Sequence, residues 1–278
     1  MSEFYLKASP ALMENKKDMK SKMELHLAEA KGLGLLERAV FLGCQGSQNY
    51  DLDYAFSDVD TKLLLMPTFD ELALNKSAVS TTHVLKNNEH MDLKDVRLFV
   101  PTLRKQNVNF VEMLFTDFYF VNSLYEEEWM KLVSAREEVA RFSPNRTVMA
   151  MRGIACNKYK VFNNKVSEGF REDLGYDPKQ VYQMGRVVEF VYRYVEGKDT
   201  YAELLKSQQR DLLLELKSGK LKYNEAVEYM NMQYVHVNNV ADEYLMTNRP
   251  EDKYVDELLD EVLRNMMKTY MKETVFKI

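Results

Sequence analysis

Hydrophobic and polar positions follow two different rhythms along this chain. Residues 14–32 are rich in Lys, Glu, Met and Ala and end on Gly32 and Gly34, which predicts a helix with a glycine stop. The apolar run "RAVFLGCQ" is made of strand formers and closes at Gly46. Val59 to Met66 predicts a second strand, bounded by its charged start and by Pro67. "TTHVL" and "HMDL" flank the polar turn "NNE" and predict two short strands. Asp95 suits the N-cap of a helix over "VRLFVPTLRKQ", with Pro101 inside it. The aromatic stretch "NFVEMLFTDFYFVN" fits helix, strand or one after the other.

Near residues 120–130 the rhythm becomes helical. "LYEEEWMKLVSAREEVARF" has helical composition, and another helix is expected from Ser143-Pro144 through "TVMAMRGIACNKYKVFNNKV". "DPKQVYQMGRVVEFVYRYVEG" carries full punctuation: Asp177 as cap, Pro178 at the first position, Gly197 as stop. "TYAELLKSQQRDLLLELKSG", "KYNEAVEYMNMQYVHVNNVADEYLM" and residues 251–275 continue in kind. The expected architecture is α+β: a small mixed β-sheet with helices over residues 1–125, then a mostly helical domain over residues 126–278 that closes a cleft.

Composition narrows the function classes. The 278 residues are 46% hydrophobic, enough for one large core or two ordinary ones. A net charge of −5 argues against coating nucleic acid by overall charge. It leaves room for a local basic surface, and residues 152–186 hold seven Lys or Arg against four Asp or Glu. Two cysteines, Cys44 and Cys156, without a Cys/His cluster argue against a disulfide framework or structural zinc. No apolar run reaches the roughly 18 residues of a membrane span, and "MSEFYLKASPALMENKKDMK" lacks a basic-then-apolar signal pattern. A soluble, cytoplasmic protein with no membrane partner is the expectation.

The candidate chemistry lies in "GCQGSQNYDLDYAFSDVD", residues 43–60. Side chains i and i+2 of a strand share a face, so Asp58 and Asp60 are expected to project together from a strand start. Two carboxylates side by side repel unless a cation lies between them. Hard divalent ions take one or two protein carboxylates plus substrate phosphates. Asp92, in "HMDL", is placed to be a third acid of a two-metal site. Gly46 lets backbone approach a ligand, and Ser47 with backbone N–H groups suits phosphate oxygens. Lys179, Gln183 and Arg186 share one helix face by spacing, and Lys158 and Lys160 are further basic candidates. A D-x-D taken alone is most often a solvated turn; the ordered combination is more specific. Cys44 and the lone Trp129 read as core residues. The four histidines are scattered, and His90 shares the face of Asp92 if that segment is a strand.

The order "GS…SDVD…D" resembles the nucleotidyltransferase superfamily typified by DNA polymerase β. It is most similar to the bacterial and phage branch of RNA-repair type. That branch carries Gly-Ser-x-x-Tyr-Gly-Leu, Ser-Asp-x-Asp, and an Asn-Pro-x-x-x-Glu-x-Leu segment. Here these read "GSQNYDL", "SDVD" and "NVNFVEML". A Gly-Tyr-Asp-x-Lys segment, a following Arg and a Lys-x-Gly read "GYDPK", Arg186 and "LKSGK", so the likeness covers residues 38–230. Asp51 stands where the pattern has glycine, and Val108 where it has proline. The resemblance implies a nucleotidyltransferase core that moves a nucleoside monophosphate from a triphosphate such as ATP to an acceptor hydroxyl. It implies two magnesium ions (manganese as substitute) on Asp58, Asp60 and Asp92, which are then also the catalytic residues. It implies nucleotide contacts at Gly46, Ser47, Lys158, Lys179 and Arg186. RNA or tRNA is favoured as acceptor over a protein or a small molecule such as an aminoglycoside. The readings set against it are a non-catalytic nucleotide- or RNA-binding regulator and a helical scaffold with an incidental D-x-D.

Overall fold

The computed structural model describes residues 3–7, 17–53 and 57–275. Six strands form one mixed sheet: β1 (Phe4–Lys7), β2 (Ala39–Gln45), β3 (Asp60–Leu65), β4 (Ser80–Val84), β5 (His90–Asp95) and β6 (Tyr119–Asn122). Their order is β1-β6-β2-β3-β5-β4. β3 and β5 are parallel; the other pairs are antiparallel. Helices α1 (Lys17–Gly32), α2 (Phe69–Ala73), α3 (Val96–Arg104) and α4 (Val108–Val111) accompany the sheet. The C-terminal region is helical: α5 (Glu126–Ser134), α6 (Arg136–Ala140), α7 (Pro144–Asn164), α8 (Pro178–Glu196), α9 (Tyr201–Leu205), α10 (Arg210–Ser218), α11 (Tyr223–Leu245) and α12 (Lys253–Tyr270). The chain is thus the expected mixed α and β protein. The start of the expected first helix, residues 14–16, lies outside the described residues.

Alternation along the strands divides the sheet into two faces. Leu42, Leu63, Leu65 and Met91 pack against Met19, Met23 and Ala30 of α1. Phe41, Leu64 and Val121 face the other way and join a cluster that runs through α3, α5, α7, α8, α11 and α12. Trp129 is fully buried in that cluster, stacked on Phe41 at 4.0 Å. This core passes straight through residue 125. The change of rhythm there marks a change of secondary structure within one continuous core.

Local punctuation explains the elements that came out as expected. The Asp177 carboxylate accepts from the Lys179 N–H at 2.8 Å, and Gly197 leaves α8 at φ 69°. The ambiguous aromatic stretch is one element after the other: α4, a 3₁₀ turn at Glu112–Leu114, then β6. The stretch "TYAELLKSQQRDLLLELKSG" is not one helix. Glu189 of α8 takes the Ser207 hydroxyl and, at 2.6 Å, the Gln208 N–H, which stops α9 before α10 begins.

Candidate active site

The site starts where β2 ends. Gly46 turns the chain at φ 77°, a conformation that side chains rarely adopt. Gly46–Gln48 form one 3₁₀ turn, closed by the Asn49 N–H on the Gly46 carbonyl at 2.9 Å. The Asn49 amide donates to the Cys44 carbonyl at 3.0 Å. Asp51 follows at φ 55°. Aspartate is among the few residues that visit this region. Lys206 meets its carboxylate at 3.1 Å, and Arg210 donates to its carbonyl at 2.8 Å. The departure from glycine therefore falls where the backbone asks for glycine. Val108 is equally intelligible: Asn107 caps α4, and Val108 is the first helical residue, where proline fits because that N–H needs no partner.

Asp60 is the first residue of β3, and Asp58 stands just ahead of the strand rather than in it. Both line a cleft of about 630 Å³, with Ser47 on the same wall and Lys179 and Tyr182 of α8 opposite. Asp60 Oδ1 accepts from the His90 N–H at 3.0 Å and lies 3.2 Å from His90 Nδ1. The parallel register sets Lys62 beside Asp92, so Asp60, His90, Lys62 and Asp92 project from one face.

Asp92 is set back from the cleft wall. Thr82 Oγ1 donates to its Oδ1 at 2.5 Å and Gln45 Nε2 to its Oδ2 at 3.2 Å. Burial pushes its carboxyl up, but those bonds and the charges of Lys62 and Lys94 outweigh burial and hold it below the ordinary value. Lys158 on α7 and Arg186 on α8 also lie behind the wall. Burial, and then the cations of Lys179 and Arg186, push the Lys158 ammonium down. The Arg186 guanidinium lies 3.8 Å over the Tyr50 ring, and its Nη1 is buried with no hydrogen bond. Among the described residues, no carboxylate lies within ion-pair distance of Lys158, Lys179 or Arg186. Lys158, Lys179 and Arg186 lie close enough to act on one another, with Asp177 and Glu112 as the nearest acids, and together they make this side of the cleft suited to phosphate.

Behind the Gly-Ser turn lies a buried group. Glu112 is buried near the Tyr50 hydroxyl and the Gly46 N–H, which both act to hold its carboxyl down, and its Oε2 has no partner. Lys62 is buried in β3, donating to Gln45 Oε1 at 2.6 Å and to the Asn109 carbonyl at 3.0 Å. Burial pushes the Lys62 ammonium down, against the pull of Glu112 and Asp92. Sequence reasoning did not single out Lys62 or Gln45. A lysine inside the apolar strand "TKLLLM" was the available signal. Two distant segments also meet here: the Tyr176 hydroxyl donates to the Leu221 carbonyl at 2.8 Å, and Gly219 lies against Leu174 and Pro178. "GYDPK" and "LKSGK" are therefore neighbours in space.

The donor chemistry fits a hard dication in part. Asp58 and Asp60 offer carboxylate oxygens at the cleft, the number magnesium takes from protein when phosphates supply the rest. Among the described residues, no group of three His, Cys, Asp or Glu side chains stands ready to chelate a metal. Asp92 joins such a site only by exchanging its bonds to Thr82 and Gln45. No family model matches the chain, and no curated protein matches it.

Proposed function

We propose that the protein is a metal-dependent nucleotidyltransferase that moves a nucleoside monophosphate from a triphosphate to an acceptor hydroxyl, releasing pyrophosphate. The observation that carries this reading is the cleft itself. It brings Ser47, Asp58 and Asp60 from the sheet side together with Lys179 of α8, Lys217 of α10 and the Asp177 carboxylate, so acids and cations line one cleft. The Gly46–Ser47 turn offers the Ser47 hydroxyl and N–H to the β- and γ-phosphates. Lys179, backed by Lys158 and Arg186, neutralises charge that builds on the leaving pyrophosphate. Asp58 and Asp60, with Asp92, would hold two magnesium or manganese ions. Such ions polarise phosphoryl oxygens and lower the pKa of an acceptor hydroxyl. Asp92, ionised at neutral pH, is the candidate base one pleat further along the same face.

RNA or tRNA is the favoured acceptor, in a cytoplasmic setting. No helix among the described residues is long and apolar enough to cross a membrane. The second reading, a regulator that binds nucleotide or RNA without catalysis, is favoured by one observation: both oxygens of Asp92 are already engaged. Incubation with each labelled triphosphate, magnesium and total RNA separates the readings. Label transferred to a macromolecule with pyrophosphate release supports the transferase. Nucleotide bound without pyrophosphate release supports the regulator. Neither binding nor transfer with any triphosphate sinks both.

A further inference from the structure

The segment that carries Asp58 and Asp60 is held from below by residues that the transferase reading does not use. Val59 lies between the two acids, and its N–H donates to Glu89 Oε1 at 3.0 Å. The Lys22 ammonium donates to the Ser57 carbonyl at 3.1 Å and lies 3.7 Å from the same Glu89 oxygen. The other oxygen, Oε2, meets His26 Nε2 at 3.1 Å and accepts from Asn87 at 2.7 Å. His26 Nδ1 in turn lies 2.8 Å from Thr61 Oγ1, on the residue after Asp60. Residues 57, 59 and 61 are thus tied down, and the residues between them are the two cleft acids.

The chemistry fixes the direction of each bond. A carboxylate only accepts, so Nε2 of His26 carries the hydrogen toward Glu89. Burial pushes the His26 ring below its ordinary pKa, against the pull of Glu89, which favours the neutral ring. Nδ1 then accepts from the Thr61 hydroxyl. His26, Thr61 and Glu89 are buried, so no substrate reaches this chain of bonds. It is not a second reaction centre. His26 also sits on the apolar stripe of α1 with Met19, Met23 and Ala30, where a polar ring has no packing advantage over leucine.

We propose that Glu89 and His26 are positioning residues that pin the Asp58–Val59–Asp60 backbone, so that the two carboxylates present a fixed pair of oxygens to a divalent cation. The inference rests on the transferase reading for the identity of the ligand, and on the hydrogen bonds alone for the pin. Alternation gives the pin its purpose. With Val59 and Thr61 anchored on the inner side, Asp60 is forced to the opposite face, toward the cleft. Outer partners bonded directly to metal ligands ordinarily set metal affinity by ten- to a hundredfold, and a pin on the backbone between two ligands is expected at the lower end of that range.

Glu89→Gln tests it with minimal change of shape. Glutamine has one acceptor oxygen and cannot serve both the Val59 N–H and the His26 Nε2–H. His26→Gln is the companion variant. Leu42→Ala, in the same buried cluster, controls for simple loss of stability. Two quantities are read on the full chain: Mn²⁺ affinity by spin-resonance titration, and amide exchange at Val59 and Leu63 by NMR. The expected result in both test variants is roughly tenfold weaker Mn²⁺ binding, with faster exchange at Val59 and unchanged exchange at Leu63. Leu42→Ala is expected to melt earlier and keep its Mn²⁺ affinity. Val59 exchange that does not change in either test variant overturns the pin, whatever the metal does. Faster Val59 exchange with unaltered Mn²⁺ affinity, or an equal loss in Leu42→Ala, overturns the positioning role. Wild-type protein that takes up no Mn²⁺ fails the transferase reading instead, and the exchange measurement still decides the pin.

Discussion

Asp58 and Asp60 occupy unequal places on the cleft. Asp60 is tethered by the His90 backbone and ring, whereas Asp58 is exposed just ahead of the strand. Neither carboxylate supports a core contact, so their substitution separates chemistry from stability. Asp58→Asn and Asp60→Asn are each expected to cut labelled-nucleotide transfer by at least about a hundredfold, the scale of losing one preorganised electrostatic contact. Their melting temperatures should stay within about 2 °C of wild type, as for surface substitutions; full activity in either variant would falsify the proposed roles. Asp51 poses the opposite case, stability without chemistry. At φ 55° it holds a conformation that disfavours side chains by about 1–2 kcal/mol, and its exposed pair with Lys206 returns at most about 1 kcal/mol. Asp51→Gly should therefore leave urea stability within about 1 kcal/mol, while Asp51→Val should lose about 1–2 kcal/mol. Equal stabilities for the two variants would show that the turn does not depend on this angle.

Elements whose ends are set by neighbouring residues were readable from the sequence; elements set by distant partners were not. Asp177, Pro178 and Gly197 delimit α8 through their own backbone chemistry, and β2 closes at Gly46 for the same reason. The Gly-Ser turn and the D-x-D are local too, which is why Ser47, Asp58 and Asp60 were found together. The break between α9 and α10 depends on Glu189, which precedes it on another helix and is buried beside Arg193. The Glu89–His26 bond joins residues 63 apart, and no period or spacing announces it. The engagement of Asp92 by Thr82 and Gln45 is likewise tertiary. Because Glu189 holds Ser207, Gln208 and Arg193 at once, Glu189→Ala should lower urea stability by about 1.5–3 kcal/mol, the range for hydrogen bonds to a charged group. A loss below about 0.5 kcal/mol would mean that the break between the helices is set by something else.

At the scale of the whole molecule, Glu112 is a buried point at which the sheet region and the helical region act on each other electrically, beside exposed pairs such as Lys206–Asp51 and Arg104–Asp260. It follows α4 and feels Gly46 and Tyr50 from the sheet side and Arg186 of α8 from the other. Burial pushes its carboxyl above the ordinary value, against the stabilising pull of Lys62, Tyr50, Arg186 and Gly46. The raised value makes the folded chain hold its proton to higher pH than the unfolded chain does. Stability from this group is therefore complete below about pH 4.5, the ordinary glutamate value, and is lost as pH rises through the folded value. Glu112→Gln keeps the shape and removes the titration. The stability difference, variant minus wild type, should accordingly grow in the variant's favour as pH rises from about 4.5 toward 7. His26, whose ring is pushed the other way by burial, titrates in both proteins and cancels from that difference. Urea denaturation of both proteins at intervals across this range measures it directly. A flat difference would show that Glu112 ionises freely, paired by Lys62 and Arg186. A difference that moves toward the wild type would show that the two cations overcompensate burial and that the carboxylate is an asset to the junction.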